Sequence, residues 1–207
     1  MFGWDGELPA PAVRTISDMR PVLLDPSCDG DIPLYFMYRD LARSDADWRW
    51  LHSHSLRYDI TVIPPYDLCG EWAKTKGHYH PVNPAGVGYP EIYEVLEGRA
   101  HYLLQTKAAD DVVLIGAEAG DLVIIPPDYG HITINPSADH PLVMANIVST
   151  AFESEYADYE RMRGAAYYEL TTGKFVKNPE YGDVAPLRKV RARTGQPGHR
   201  IVEGPLY

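Results

Sequence analysis

Two histidines two residues apart, His78 and His80, head the chemistry this chain offers. On an extended strand alternate side chains share a face and the rise is about 3.3 Å per residue, so the two imidazoles start about 6.6 Å apart and point the same way. Tilted together, they reach one metal ion with bonds of about 2.1 Å. Glu91 follows a Pro- and Gly-rich loop, Pro81 to Pro90, long enough to fold the chain back and set Glu91 at the head of a strand beside the histidines. His131 follows an apolar strand ended by Pro126 and Pro127 and opens the next one, which aims it at the mouth of a sheet or barrel. Three neutral nitrogens and one carboxylate suit a borderline divalent metal with positions left open for a substrate. A histidine taken singly is usually structural or solvated, the reading we give His52, His54, His101, His140 and His199. His-x-His, a downstream Glu and a downstream His at strand starts together ask for a common cause.

Holding such ligands takes short strands and tight turns. Leu34 to Tyr38 and Arg57 to Ile63 read as strands from their aromatic and β-branched content, the second closed by Pro64 and Pro65. In the second, Asp59, Thr61 and Ile63 share one face and Tyr58, Ile60 and Val62 the other, so Thr61 looks into a polar interior. From residue 70 the rhythm is strand, turn, strand: Glu91 to Leu96, Arg99 to Thr106, Val112 to Ile115, Leu122 to Ile125, His131 to Asn135 and Leu142 to Ser149, with Gly98, Asp110, Asp111 and Gly120 at turns. This spacing predicts an all-β antiparallel sandwich or barrel. Ahead of it, residues 1–33 read as an irregular arm with an edge strand at Ala12 to Ile16 and one helical turn at Asp18 to Arg20, stopped by Pro21. Asp40 to Trp50 is helix or loop. Behind it, Tyr156, Tyr159 and Met162 recur every three residues, which predicts a short helix over 153–164. Ala166 to Leu170 and Phe175 to Val176 form a hairpin turned at Thr172 and Gly173. Residues 182–207 are basic and extended, either wrapped on a partner subunit or poorly ordered.

The 207 residues make one domain, with an arm (1–33), a barrel core (34–150) and an extension (151–207). The formal charge of −10 disfavours nucleic acid, yet a few local donors suffice for one small phosphorylated ligand. No apolar run approaches the roughly 20 residues that span a bilayer. The first residues lack the basic and apolar regions of a signal peptide, so a cytoplasmic protein is expected. Cys28 and Cys69 have no metal-type spacing, and in the cytosol both are expected as free thiols.

The motif blocks resemble those of the cupins. The first cupin motif places a Glu after His-x-His and a Gly seven positions beyond it, here His78, His80, Glu91 and Gly98. The second runs Gly, Pro, His, Asn, here Gly120, Pro126, His131 and Asn135, with Asp128 standing where the motif usually has Gly. The gap from His80 to Glu91 is longer than in most cupins. That gap, with Thr75-Lys76-Gly77 before it and Ile92-Tyr93 after, is similar to the cupin-type glucose-6-phosphate isomerases of archaea and some bacteria, over about Ser17 to Gly164. The resemblance implies a double-sheet jelly roll and one divalent metal per subunit on His78, His80, Glu91 and His131. Iron heads the candidate metals, and Mn, Ni or Zn suit the same ligands. It also implies a homodimer at work in glycolysis and gluconeogenesis, a phosphate held by Thr61, Thr75 and Gly77, and pocket tyrosines at Tyr35 and Tyr156.

An aldose–ketose isomerase moves hydrogen between C1 and C2 of an open-chain sugar phosphate. Either a base carries a proton through a cis-enediol or a hydride passes directly. Glu91 is both the carboxylate ligand and the nearest base, although a carboxylate on a divalent ion is a weak one. Tyr93, two residues on and on the same side of the strand, orients Glu91 or handles a hydroxyl proton. Lys76 points away from Thr75. An Fe(II) dioxygenase and a non-catalytic sugar-binding cupin use the same ligands, but Thr75-Lys76-Gly77 and Tyr93 favour the isomerase.

Overall fold

The computed structural model describes Trp4, residues 6–30 and residues 32–192. β1 (Ala12–Thr15) pairs antiparallel with β2 (Pro33–Tyr38), and between them α1 (Ile16–Met19) runs into a 3-10 turn at Arg20–Val22. The segment left open between helix and loop is helical over α2 (Asp45–Ser53), because Ser44 caps it, its Oγ accepting from the Asp47 N–H at 3.2 Å. β3 (Leu56–Ile63) leads to a two-residue hairpin, β4 (Asp67–Leu68) and β5 (Glu71–Trp72). The barrel strands follow as β6 (Glu91–Glu97), β7 (Arg99–Gln105), β8 (Val112–Glu118), β9 (Leu122–Ile125), β10 (Gly130–Ile134) and β11 (Leu142–Ser149). These match the expected strands closely.

They form two facing sheets, one of six strands in the order β1-β2-β3-β11-β6-β9 and one built on β10-β7-β8, which is the expected double-sheet jelly roll. Period-2 alternation decides what each sheet turns inward. On β3, Tyr58, Ile60 and Val62 face outward into a cluster with Trp4, Leu41 and Leu51, the last from α2. Asp59, Thr61 and Ile63 face the space between the sheets. There Val95, Tyr102, Leu104, Val123, Ile125 and Met144 make an apolar floor, and the polar residues gather at one end.

The extension departs from expectation twice. The helix α3 covers only Ala157–Arg161, because Glu155 is drawn into an extended bridge, Tyr79 N–H to Glu155 O at 3.0 Å and Glu155 N–H to Tyr79 O at 2.9 Å. β12 (Tyr167–Glu169) and β13 (Phe175–Lys177) make the expected hairpin. The basic tail is not merely extended: β14 (Arg188–Arg191) pairs parallel with β8 at the edge of the second sheet. His199 and the rest of the tail beyond residue 192 lie outside the described residues.

The cysteines correct the expectation of free thiols. Cys28 and Cys69 are disulfide-bonded, with Cα atoms 5.8 Å apart across 41 residues of sequence. The arm and the β4–β5 turn meet only in the folded chain, so linear spacing did not reveal the pair. Beside it, Lys74 Nζ forms a buried ion pair with Glu71 and donates to Val22 O at 2.9 Å, while the Leu24 N–H donates to Glu71 Oε2 at 3.0 Å. Both devices fasten the arm to the segment that leads into the histidines. Among the described residues no helix is long and apolar enough to cross a membrane.

Candidate metal centre and active site

The segment 75–80 is extended but belongs to no named strand. It lies along β10, with His78 and His131 exchanging backbone hydrogen bonds at 3.3 and 3.1 Å and the Thr75 N–H donating to Thr133 O at 2.8 Å. Alternation sends His78 and His80 inward and Tyr79 outward, where its ring meets Tyr159 at 5.2 Å and its hydroxyl accepts from Gln105 Nε2 at 3.0 Å. Gly77 is required in this tight layer: its φ is +82°, and a Cβ would fall 2.4 Å from Ile132 Cγ2 and 2.8 Å from Tyr159 Cδ1. Glu91 does not sit on a strand beside the histidines, as the folded-back loop suggested. It opens β6 in the opposite sheet and reaches the histidines across the barrel. Alternation fixes which face a residue takes, whereas sheet membership rests on distant pairing. Asp128, standing at the motif's Gly position, adopts φ 68°, a left-handed conformation that Asp tolerates at small cost, so the turn before His131 keeps its shape.

The four expected ligands converge. One donor atom from each of His78, His80, Glu91 and His131 lies within 4.8 Å of all the others. His78 Nε2 and His80 Nε2 are 3.1 Å apart, and Glu91 Oε2 is 3.4 Å from both His80 Nε2 and His131 Nε2. Donors about 2.1 Å from a shared ion stand about 3.0 Å apart at a right angle and about 3.4 Å apart at the tetrahedral angle, so the spacing fits one ion. Glu91 Oε2 is buried without a hydrogen-bond partner, a costly state for a carboxylate oxygen unless a cation completes it. His80 Nδ1 lies 2.8 Å from the carbonyl of Tyr89; that contact places the proton on Nδ1 and leaves the Nε2 lone pair facing the cluster. Burial, and then the facing His131, lowers the His78 pKa well below its ordinary 6.5, which keeps it neutral as ligation requires. Burial raises Glu91, but the imidazoles of His131 and His80 outweigh it and hold the carboxyl well below the usual carboxylate range.

A cavity of about 70 Å³ opens beside the cluster. Tyr35, Thr61, Thr75, Gly77, His78, Glu91, Tyr93 and Tyr156 all line it, and His80 and His131 complete the cluster without lining it. Tyr93 is buried, its hydroxyl 3.1 Å from His131 Nε2; burial, then the Glu91 charge, pushes its phenol well above the usual range. Tyr35 OH accepts weakly from the Lys76 N–H at 3.4 Å, and burial pushes its pKa up to about 12. The Thr75 hydroxyl accepts from the Thr133 N–H at 2.9 Å, which leaves its own proton free to donate. Tyr156 is half-buried at the rim, its ring 5.6 Å from that of His78 and 5.7 Å from both the Arg14 guanidinium and Lys76 Nζ. Lys76 also lines the cavity, paired with Glu160 at 2.6 Å. Phe152 of the extension covers His80 at 4.5 Å and stacks on Tyr89 at 4.7 Å.

Sequence reasoning missed a group on the wall beside Glu91, formed by the neighbouring strands of the same sheet. Asp59 Oδ2 accepts from Arg57 Nε at 2.9 Å and Arg39 Nη1 at 3.1 Å, and all three line the cavity. Asn146 lines it too, opposite Asp59 on one side and Tyr93 on the other in the strand register. The signals were present: Asp59 shares a face with Thr61, and Asn146 interrupts an otherwise apolar strand. Among the described residues the other histidines stand apart, His52 at 2.8 Å from Asp40 and His101 at 2.8 Å from the buried Glu169.

Fold and site together define a double-sheet barrel in which three histidines and one glutamate, spaced to hold a metal ion, stand beside a polar cavity. A family model described as Glucose-6-phosphate isomerase (GPI) matches residues 13–185, and the chain belongs to that family. It is 30% identical over 139 residues to a glucose-6-phosphate isomerase of Thermococcus litoralis, covering 64% of this chain and 66% of that one. To the glucose-6-phosphate isomerase of Thermococcus gammatolerans it is 29% identical over 179 residues, covering 82% of this chain and 86% of that one. Among solved structures, a recombinant oxalate oxidase in complex with glycolate superposes with a TM-score of 0.45 at 13% identity, over 60% of this chain and 55% of that chain.

Proposed function

We propose that this protein is a metal-dependent aldose–ketose isomerase interconverting glucose 6-phosphate and fructose 6-phosphate, with His78, His80, Glu91 and His131 holding one divalent ion. The observation that carries this reading is the buried Glu91 oxygen, unpartnered among converging imidazoles at the edge of the cavity. Iron is the first candidate, with Mn, Ni or Zn compatible with the donor set. When bound, such an ion supplies Lewis-acid polarisation of the C1 and C2 oxygens of the open-chain sugar. Tyr93 stands next to those oxygens and handles the hydroxyl proton. The hydroxyls of Thr61 and Thr75 and the backbone N–H of Gly77 take the phosphate oxygens, the type of donor that suits them, with Tyr35 and Tyr156 closing the pocket around the chain. Glu91 acts as ligand and stands as the nearest base; one of its oxygens accepts from Asn146 at 2.8 Å and the other faces the imidazoles. Work in the cytoplasm, a part in glycolysis and gluconeogenesis and assembly as a homodimer belong to the same proposal and rest on the family resemblance.

The test is a coupled assay of fructose 6-phosphate conversion with and without chelator, each metal added back in turn. Chelation should abolish turnover and at least one of Fe, Mn, Ni or Zn should restore it. No turnover with any metal sinks the reading, and oxygen consumption instead would point to a dioxygenase.

A further inference from the structure

Asn146 sits in the middle of β11, in the run Leu-Val-Met-Ala-Asn-Ile-Val-Ser, and is 6% exposed. β11 is paired along both edges, with β3 on one side and β6 on the other, so its backbone has little freedom to move. A buried carboxamide costs free energy unless its hydrogen bonds are met, and an apolar residue would extend the pattern of the strand. The Asn146 side chain instead reaches across to β6, where Nδ2 donates to Glu91 Oε1 at 2.8 Å. An ionised carboxylate only accepts, so the amide nitrogen, not the amide oxygen, must face it. The result divides the two Glu91 oxygens: Oε1 accepts from Asn146, and Oε2 lies 3.4 Å from both His80 Nε2 and His131 Nε2 with no hydrogen bond of its own. Without that donor the carboxylate has two equivalent oxygens and a free torsion, and either or both can turn to a cation.

We propose that Asn146 is a positioning residue of the metal centre: it fixes Glu91 so that one oxygen alone meets the ion, and so preserves the open positions that a sugar's two oxygens need. The inference rests on the metal-dependent reading above and adds to it a residue outside the ligand set.

Zinc affinity measured by competition with a chromophoric chelator tests it without any turnover. Asn146→Ala and the near-isosteric Asn146→Asp, each checked for a cooperative melt, should bind zinc 10- to 100-fold more weakly than the parent, the usual scale for losing such an outer partner. In a Glu91→Ala background, Asn146→Ala should weaken zinc no further, since the effect travels through the carboxylate; a merely structural asparagine would add its loss in either background. Folded single variants with zinc affinity within twofold of the parent overturn the proposal while leaving the metal reading intact. A parent protein that takes up no zinc overturns the proposal, and one that takes up none of Fe, Mn, Ni or Zn overturns the metal reading with it.

Discussion

The histidine–glutamate corner and the wall beside it on β3 treat their carboxylates in opposite ways. In the corner, Glu91 Oε2 is buried without a hydrogen-bond partner and faces the imidazoles. On the wall, both Asp59 oxygens are taken, Oδ2 by Arg39 and Arg57 and Oδ1 by the Asp40 N–H at 3.0 Å. Asp59 is deeply buried while its two arginine side chains are 39% and 31% exposed, so the wall offers guanidinium N–H groups to the cavity while its one carboxylate is spoken for. Burial raises the Asp59 pKa, with Arg57 pulling against it. The difference teaches that this barrel leaves a carboxylate oxygen unmet where its imidazoles converge, and satisfies the carboxylate on the wall next to it.

The contrast can be broken most sharply at the corner. His78→Ala or His131→Ala should bring both metal content, by elemental analysis, and turnover to background while the circular dichroism spectrum stays that of the parent. Retained metal in either variant would remove that histidine from the centre. Next in size, Tyr93→Phe should lower kcat by about 10²-fold, at the lower end of what a proton-transfer group contributes, with metal content unchanged; an unaltered kcat would make Tyr93 a packing residue. Smallest, Arg57→Ala should raise KM by roughly tenfold, the scale of one lost hydrogen bond to a charged group, and move kcat less than Tyr93→Phe does. If Arg57→Ala instead lowers kcat and spares KM, wall and corner share one task and the distinction drawn between them fails.

How much of this was legible in the sequence follows from the same contrast. Metal geometry dictates both residue type and spacing, so His78, His80, Glu91 and His131 declared themselves in two short blocks, and alternation alone turned Thr61 inward. The wall has no such rule. Arg57 and Asp59 come from β3, Asn146 from β11 and Arg39 from just past β2, whose adjacency is a matter of distant pairing; the local hints at Asp59 and Asn146 do not say what those residues meet. Distant pairing also explains why Glu91 faces the histidines from the other sheet, why Glu155 shortened a helix that periodicity had extended, and why Arg188–Arg191 found an edge of β8 to join.

The bond between Cys28 and Cys69 closes a loop that holds Tyr35, Arg39, Arg57, Asp59 and Thr61, and none of the four metal ligands falls inside it. By chain-entropy reasoning, a closure spanning 41 residues withholds about 4 kcal/mol of freedom from the unfolded chain. That restriction falls on one wall of the cavity, while Thr75, Gly77 and Tyr156 lie outside the loop. The histidine–glutamate corner carries no covalent tie of its own, and its order comes from packing and backbone bridging.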